Sequence, residues 1–201
     1  MKKYELTAEF IEKWGKKLFR IKALISFGSV EAGELGGYVE KEDNLAQDGD
    51  AWVYGDAWVC GDARVYGDAR VYGDARVYGD AEVYGNARVC GNARVYGDAE
   101  VYGDAEVCGD AEVCGNADYL LIGRIGSRFS FTTFFKNKDK GITVSCGCFL
   151  GTIAEFRAKV TDTHGNNKHA KIYNLAADMA ELQILGEEYF DKLNTNKSEP
   201  F

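Results

Sequence analysis

Residues 49–117 read GDAWVYGDAWVCGDARVYGDARVYGDARVYGDAEVYGNARVCGNARVYGDAEVYGDAEVCGDAEVCGNA. A glycine falls at every sixth position of this stretch, from Gly49 to Gly115, which makes twelve, and Asp or Asn follows each one. Alanine comes next every time, and valine stands two residues beyond the alanine in the eleven complete hexads. The repeat is therefore G-[DN]-A-x-V-[YC], and it recurs without a slip.

Each hexad has the pattern of a short strand followed by a corner. Successive side chains of a strand point to opposite faces, so Ala and Val point one way while x and Tyr or Cys point the other way. Gly followed by Asp or Asn tolerates turn dihedrals and ends the strand. A helix is excluded, because apolar positions that recur every six residues drift around a helix. Stacked coils would bury every Ala and Val in one column, so the repeat predicts a parallel β-helix.

The hexad resembles the hexapeptide repeat of left-handed parallel β-helix proteins, which place an aliphatic and a small residue inward and Gly with Asn or Asp at the corner. This resemblance implies left-handed coils with three sides, and about four coils for residues 49–118, stacked at roughly 4.8 Å. The run LGGYVEKEDNL at 35–45, leading into GDAWV at 49–53, is similar to uncharacterised proteins of bacteria and their prophages. We expect an irregular first coil from near Gly36, which makes four to five coils.

With three hexads per coil, the outward side chains stack in columns. Two readings of the aromatic columns stay open: ladders that stabilise a solvated face, and an interface with a partner or another subunit. The second reading predicts a homo-oligomer, and the resemblance implies a trimer. Its candidate interface residues are Tyr66, Tyr84 and Tyr102 in one column and Tyr78 and Tyr96 in another. Cys90 and Cys108 are neighbours in a third column, where we expect small packing residues rather than a disulfide.

The flanks of the repeat have different patterns. Residues 9–14 and 18–24 predict a β-hairpin that caps the first coil. Strands are predicted at 119–125, 129–136 and 142–150, followed by a helix that begins at the capping box Thr152-Ile-Ala-Glu155 and a second helix over 167–185. The expected apolar face of the second helix comprises Ile172, Tyr173, Ala176, Met179, Ala180 and Gln183.

The sequence thus predicts a mainly β protein in four parts. An N-terminal hairpin cap spans 1–35, the hexapeptide-repeat β-helix spans 36–118, a small C-terminal α+β module spans 119–190, and a disordered tail spans 191–201.

Composition limits the partners. The chain of 201 residues has no run of about 18 apolar residues, so no membrane span is predicted. Its start, MKKYELTAEF, lacks the apolar stretch of a signal peptide, and six cysteines then favour a reducing compartment and free thiols. We therefore expect a cytoplasmic protein. The net charge of −8 argues against general nucleic-acid binding.

Catalytic and metal chemistry have weak support. Many left-handed β-helix proteins are acyltransferases with a catalytic histidine and an inserted loop, but this repeat contains neither. Two cysteines, Cys146 and Cys148, and two histidines, His164 and His169, could bind zinc or supply a Cys–His nucleophile. Buried cysteines are common in cores, so we favour packing and expect no metal or cofactor. The corner aspartates are likewise expected to be turn formers rather than cation ligands.

One candidate ligand site remains in the C-terminal module. Arg124, Arg128 and Lys136, with Phe131 among several neighbouring phenylalanines, could bind a small anion or nucleotide, although a packed aromatic hairpin is the simpler reading. We expect a non-enzymatic structural or binding protein whose rigid β-helix self-assembles and presents this module. Alternatives are a prophage-encoded counter-defence protein that sequesters a nucleotide-like ligand or blocks a host protein, and an acyltransferase-like enzyme.

Overall fold

The computed structural model describes residues 2–186. The chain divides between Asn116 and Ala117 into two compact units, called here the solenoid unit and the C-terminal unit. The predicted tail at 191–201 lies outside the described residues, as do the last residues of the predicted module. Within the described part, no helix is long and apolar enough to cross a membrane.

The hexads form a solenoid of eleven two-residue strands, one from each repeat. Three strands precede them in the chain: β1 (Tyr4–Lys13), β2 (Lys16–Ala23) and β3 (Leu35–Val39). The repeat strands, labelled β4 to β14 in order, are Trp52–Val53, Trp58–Val59, Arg64–Val65, Arg70–Val71, Arg76–Val77, Glu82–Val83, Arg88–Val89, Arg94–Val95, Glu100–Val101, Glu106–Val107 and Glu112–Val113.

Parallel pairing places these strands on three sides of about four turns. The hairpin side stacks β3, β5, β8, β11 and β14, the Tyr66 side stacks β6, β9 and β12, and the disulfide side stacks β4, β7, β10 and β13. Partners are three hexads apart, as Arg64 opposite Glu82 shows. The predicted β-helix and its column register are therefore confirmed.

The interior of the solenoid is the predicted column of small and branched side chains. Every repeat valine from Val53 to Val113 has 0% exposure, and the repeat alanines from Ala51 to Ala111 are at most 2% exposed. The corner glycines are needed for two reasons, which Gly91 illustrates. Its φ is 68°, and a Cβ there would lie 2.9 Å from the backbone nitrogen of Gly109 in the next coil.

The N-terminal hairpin extends one side of the solenoid. Strands β1 and β2 pair antiparallel, β2 pairs antiparallel with β3, and β3 joins the parallel ladder of the hairpin side through β5. The predicted hairpin is confirmed, and it caps the ladder by continuing it with antiparallel strands.

Side chains close the rest of the first coil's open edge. Lys3, with an exposure of only 2%, donates from Nζ to the carbonyl oxygens of Asp48, Gly49 and Ala51 at 3.2, 3.2 and 3.0 Å. The Tyr4 hydroxyl donates to the Leu45 carbonyl at 2.7 Å. These bonds satisfy carbonyl groups that an open β-helix end would otherwise leave unpaired.

The C-terminal unit is a four-stranded antiparallel sheet with two helices. Its strands β15 (Tyr119–Ile125), β16 (Ser130–Lys136), β17 (Ile142–Cys146) and β18 (Phe149–Thr152) lie in that order in the sheet. The single strand predicted over 142–150 is wrong: Gly147, with a φ of 62°, makes a tight turn that splits it into β17 and β18. Such a turn needs a residue that accepts left-handed dihedrals at its first position.

The helices begin where the sequence predicted. Helix α1 (Ile153–His164) starts from the capping box of Thr152 and Glu155, and α2 (Lys168–Leu185) starts from Asn167. The predicted apolar face of α2 is partly wrong, because Ile172 and Met179 are 39% and 57% exposed. The helix instead buries a face rich in alanine, which comprises Ala170, Ala176, Ala177 and Ala180 together with Tyr173, Glu181 and Ile184.

Candidate functional site

The outer face of the Tyr66 side carries a ladder of stacked rings. Tyr66 and Tyr84 are parallel within 2° with ring centroids 4.8 Å apart, and Tyr84 and Tyr102 follow at 5.5 Å and 17°. Tyr102 is the most open of the three, with 47% of its surface exposed. The predicted column thus exists as a ladder within one chain, and its last ring is about half exposed.

Glutamates of the same side fix the hydroxyl end of this ladder. The Tyr66 hydroxyl donates to Glu82 at 2.7 Å, and the Tyr84 hydroxyl donates to Glu100 at 3.1 Å. Burial, followed by these hydrogen bonds, raises the pKa of both phenols above the ordinary value. The phenol hydroxyls therefore stay protonated at neutral pH. Stacking and a charged hydrogen-bond acceptor hold the rings in one orientation.

The hairpin side has a second ladder that its own hairpin partly covers. Tyr78 and Tyr96 stack at 5.0 Å and 4°. Trp14, at the tip of the hairpin, lies edge-on at 5.0 Å from the rings of both Trp58 and Tyr78. The Tyr78 end of this column is therefore less available to a partner than the Tyr66 column.

The disulfide side combines a covered first coil with a covalent link. Trp52 has 0% exposure, because the rings of Tyr4 and Phe27 lie 6.0 and 5.3 Å from it. Cys90 and Cys108 are bonded, with Cα atoms 4.5 Å apart. This corrects the expectation of free packing cysteines, since stacked coils bring two outward side chains within disulfide reach. The other four cysteines are thiols.

Acidic corners surround the three sides. Each corner column contains one asparagine among its aspartates, and two of these amides donate to the neighbouring carboxylate: Asn86 to Asp104 at 3.1 Å, and Asn92 to Asp110 at 3.2 Å. Among residues 2–186, no three His, Cys, Asp or Glu side chains are grouped to hold a metal ion.

The four predicted anion-site residues separate into two places. Arg124, Arg128 and Phe131 lie at or near the turn between β15 and β16, where the ring of Phe131 packs on Gly123. Lys136 is at the far end of β16, about 20 Å along the strand, and donates to Asp118 at 2.9 Å. The structure places three of the four near one turn and the lysine elsewhere.

Sequence reasoning missed the neighbours of Arg128. Its Nη1 lies beside Gly147 in the turn between β17 and β18, and its charge acts on Tyr173. The ring of His164 stacks on that tyrosine, with centroids 5.8 Å apart. Gly147 was the signal that could have indicated this contact. Alternate turns of an antiparallel sheet lie at the same end, so a turn at Gly147 would have been expected near the turn that holds Arg128. The prediction of a single strand over 142–150 left that turn out.

The cysteines and histidines considered for zinc do not form one group. Cys146 accepts a hydrogen bond from the Thr132 hydroxyl at 3.2 Å and packs at the edge of the unit's core. Cys148 is exposed in the adjoining turn. His164 and His169 contact each other, with ring centroids 5.8 Å apart.

The repeat, but not the whole chain, is similar to a known family. Six overlapping segments match the YdcK beta solenoid repeat, at residues 57–73, 63–79, 69–85, 75–91, 81–97 and 87–103. No curated protein matches the chain. The similarity supports a β-solenoid repeat protein over residues 57–103.

Proposed function

We propose that this protein is a non-enzymatic scaffold, which self-associates through the Tyr66 side of its solenoid and presents the C-terminal unit as a binding module. The observation that carries this proposal is the flat ladder of Tyr66, Tyr84 and Tyr102. Among residues 2–186, the ring contacts made by the N-terminal segment fall on the other two sides of the solenoid.

The ladder suits an interface because its rings are already ordered. Burying a mobile side chain costs conformational entropy, and each ring that is stacked and hydrogen-bonded beforehand reduces that cost. Tyrosine is also enriched at the cores of subunit interfaces. The resemblance to left-handed β-helix proteins, which are often trimers packed side against side, makes a trimer the expected assembly.

The acidic surface does not oppose this assembly. The net negative charge of the solenoid lies mainly on the aspartates at the corners. An interface between flat sides leaves these corners in solvent. Repulsion between such exposed charges is screened within about 8 Å at physiological salt.

The test is the mass of the particle in solution. The chain of 22.2 kDa should scatter light as a trimer of three times that mass. Replacing Tyr66, Tyr84 and Tyr102 with threonine, which keeps strand propensity, should give folded monomers. The matched control replaces Tyr54 and Tyr72 on the disulfide side with threonine, and this variant should remain a trimer. A monomeric unmutated protein at high concentration, or equal dissociation of the control, would refute the proposal.

Ligand sequestration by the C-terminal unit is the second candidate function. It is favoured by Arg124 and Arg128, which have no carboxylate partner among the described residues. In contrast, Arg157 of the same unit is held by Asp178 and Glu181, each at 2.7 Å.

A further inference from the structure

One end of the C-terminal unit collects its loops. The turn at 126–129 joins β15 to β16, and the turn at 147–148 joins β17 to β18. Contacts show that the two turns meet: Tyr173 of α2 lies against Gly126, and Arg128 lies against Gly147. The junction of α1 and α2 reaches the same end, because His164 stacks on Tyr173. We call this the loop end.

Arg128 is the central cation of the loop end. Its Nη1 is 3.5 Å from the position that a Cβ of Gly147 would occupy, so a larger residue in that turn would narrow the space beside the guanidinium. Tyr173 next to it remains protonated, because burial, followed by contact with Cys146, raises the pKa of its phenol to about 12. Gly147 and Tyr173 are thus neutral neighbours of Arg128, and no carboxylate among residues 2–186 pairs with it, so its charge is available to a ligand.

The backbone around the loop end is strained. Arg124 and Phe129 have φ values of 52° and 49°, a left-handed region that is costly for residues other than glycine. An irregularity in the pairing of β15 between Ile122 and Ile125 contains Arg124, and bulges of this kind re-aim a side chain. Phe129 is 71% exposed, so its ring is displayed rather than packed.

The C-terminal unit does not share the acidity of the chain. Residues 117–201 contain eleven Lys and Arg against ten Asp and Glu, a net charge of +1, whereas the whole chain is −8. The charge that repels anions therefore belongs to the solenoid unit and not to this one.

We propose that the loop end binds an organic phosphate that carries a flat ring, with Arg128 and Arg124 on the phosphate oxygens and Phe129 against the ring. Arginine presents a planar fork of donors that matches phosphate geometry. An exposed aromatic side chain gives a stacking surface for a base, and stacking of this kind tolerates any base. The inference rests on the proposed role of the C-terminal unit as a binding module and gives that module a ligand class.

Titration calorimetry of the full chain tests this with three probes: AMP, adenosine and inorganic phosphate. AMP should bind at least 10-fold more tightly than either fragment, because it makes both sets of contacts. The double variant R124Q/R128Q should lose at least 10-fold in affinity for AMP. F129A should weaken AMP binding but leave phosphate binding unchanged.

The matched control is K140Q/K159Q, which removes two positive charges from the same unit at exposed positions outside the loop end. It should bind AMP as the unmutated chain does, and circular dichroism should show all variants folded. Loss of affinity in the control equal to that of R124Q/R128Q would mean unspecific attraction and would overturn the site. AMP binding no tighter than phosphate, or none at millimolar concentration, would overturn it as well.

Self-association is measured on the same samples by light scattering. An oligomer that binds no AMP contradicts only the ligand inference, whereas a monomer that binds AMP contradicts only the assembly proposal.

Discussion

Tyr66 and Tyr84 lie face to face across one coil of the solenoid, with centroids 4.8 Å apart and ring planes 2° apart. That spacing equals the separation of hydrogen-bonded strands. The rings therefore stack because the backbone ladder beneath them is regular. Any change that disturbs the coils should disturb this outer ladder, so near-ultraviolet circular dichroism of the tyrosines reports on the fold.

The first prediction concerns the inward column. Val95 has 0% exposure, so Val95→Asp places an unpaired carboxylate among apolar side chains and should cost several kcal/mol, enough to unfold the solenoid. Thermal melts followed by circular dichroism would measure this. Arg70→Asp, which faces outward and stands opposite Arg88, is the control and should melt close to the unmutated protein. Unchanged melting of Val95→Asp would contradict the inward assignment.

The second prediction concerns the buried ammonium of the first coil. Lys3→Met keeps the length of the side chain but leaves the carbonyls of Asp48, Gly49 and Ala51 without their donor. Each lost bond leaves a carbonyl oxygen at the edge of the coil without a donor, so we expect a total loss of about 1–3 kcal/mol in the free energy of unfolding. Hydrogen exchange should quicken first at residues 49–53.

Lys2→Met is the control for this cap. Lys2 forms an exposed ion pair with Glu42, and pairs of this kind contribute little. Equal stability of the two variants in urea titrations would show that Lys3 does not hold the open edge.

The repeat was predictable to the residue, whereas the cap was not. A strict period of six places Tyr66 over Tyr84 whatever the flanks do. Lys3, in contrast, stands in a charged, strand-like start and reads as an exposed lysine. Its burial arises from carbonyl groups more than forty residues later in the chain, and no local pattern encodes that contact.

The loop end escaped prediction for a related reason. Small residues such as Ala170 and Ala177 allow α2 to approach the sheet closely, so they are buried in place of the larger Ile172 and Met179. Hydrophobicity alone ranks these residues in the opposite order. The same approach brings Tyr173 against Gly126, and this contact assembles the loop end.

The third prediction concerns the link between Cys90 and Cys108, which closes a loop with a sequence separation of 18. Closing a loop of that length stabilises a protein by about 3 kcal/mol in the chain-entropy model. Reduction should lower the free energy of unfolding by up to that amount and leave the folded spectrum intact, because the ladder bonds remain. The variant C90S/C108S should no longer respond to reductant. If reductant also leaves the free energy of unfolding of the unmutated protein unchanged, the disulfide is absent in solution.

The last prediction is a loss of stability in alkali that comes from the tyrosine ladders. Burial, followed by the charge of Glu112, raises the pKa of Tyr96 from 10.0 to about 12, and burial raises the pKa of Tyr66 and Tyr84 as well. The unfolded chain loses these protons near pH 10, whereas the folded chain keeps them. The folded state then binds more protons, so stability falls as pH rises. The tyrosines contribute their full share of stability below pH 10. This share is lost as the pH rises through their pKa values in the folded chain.

Lys3 contributes with the opposite sign, and this fixes the window of the measurement. Burial lowers the pKa of its ammonium from 10.5 to about 8, so the folded chain binds fewer protons between these values and gains stability there. Above pH 10.5 the Lys3 effect is complete, and the tyrosines lower stability there together with Lys16 and Lys41, whose pKa values are raised by hydrogen bonds to Glu40 and Asp62. Urea midpoints between about pH 10.5 and 12 should therefore fall steadily, and Tyr96→Phe should fall less steeply because it has no proton to lose. Parallel curves for the two proteins would show that Tyr96 titrates alike in the folded and unfolded chains and has no part in alkaline unfolding.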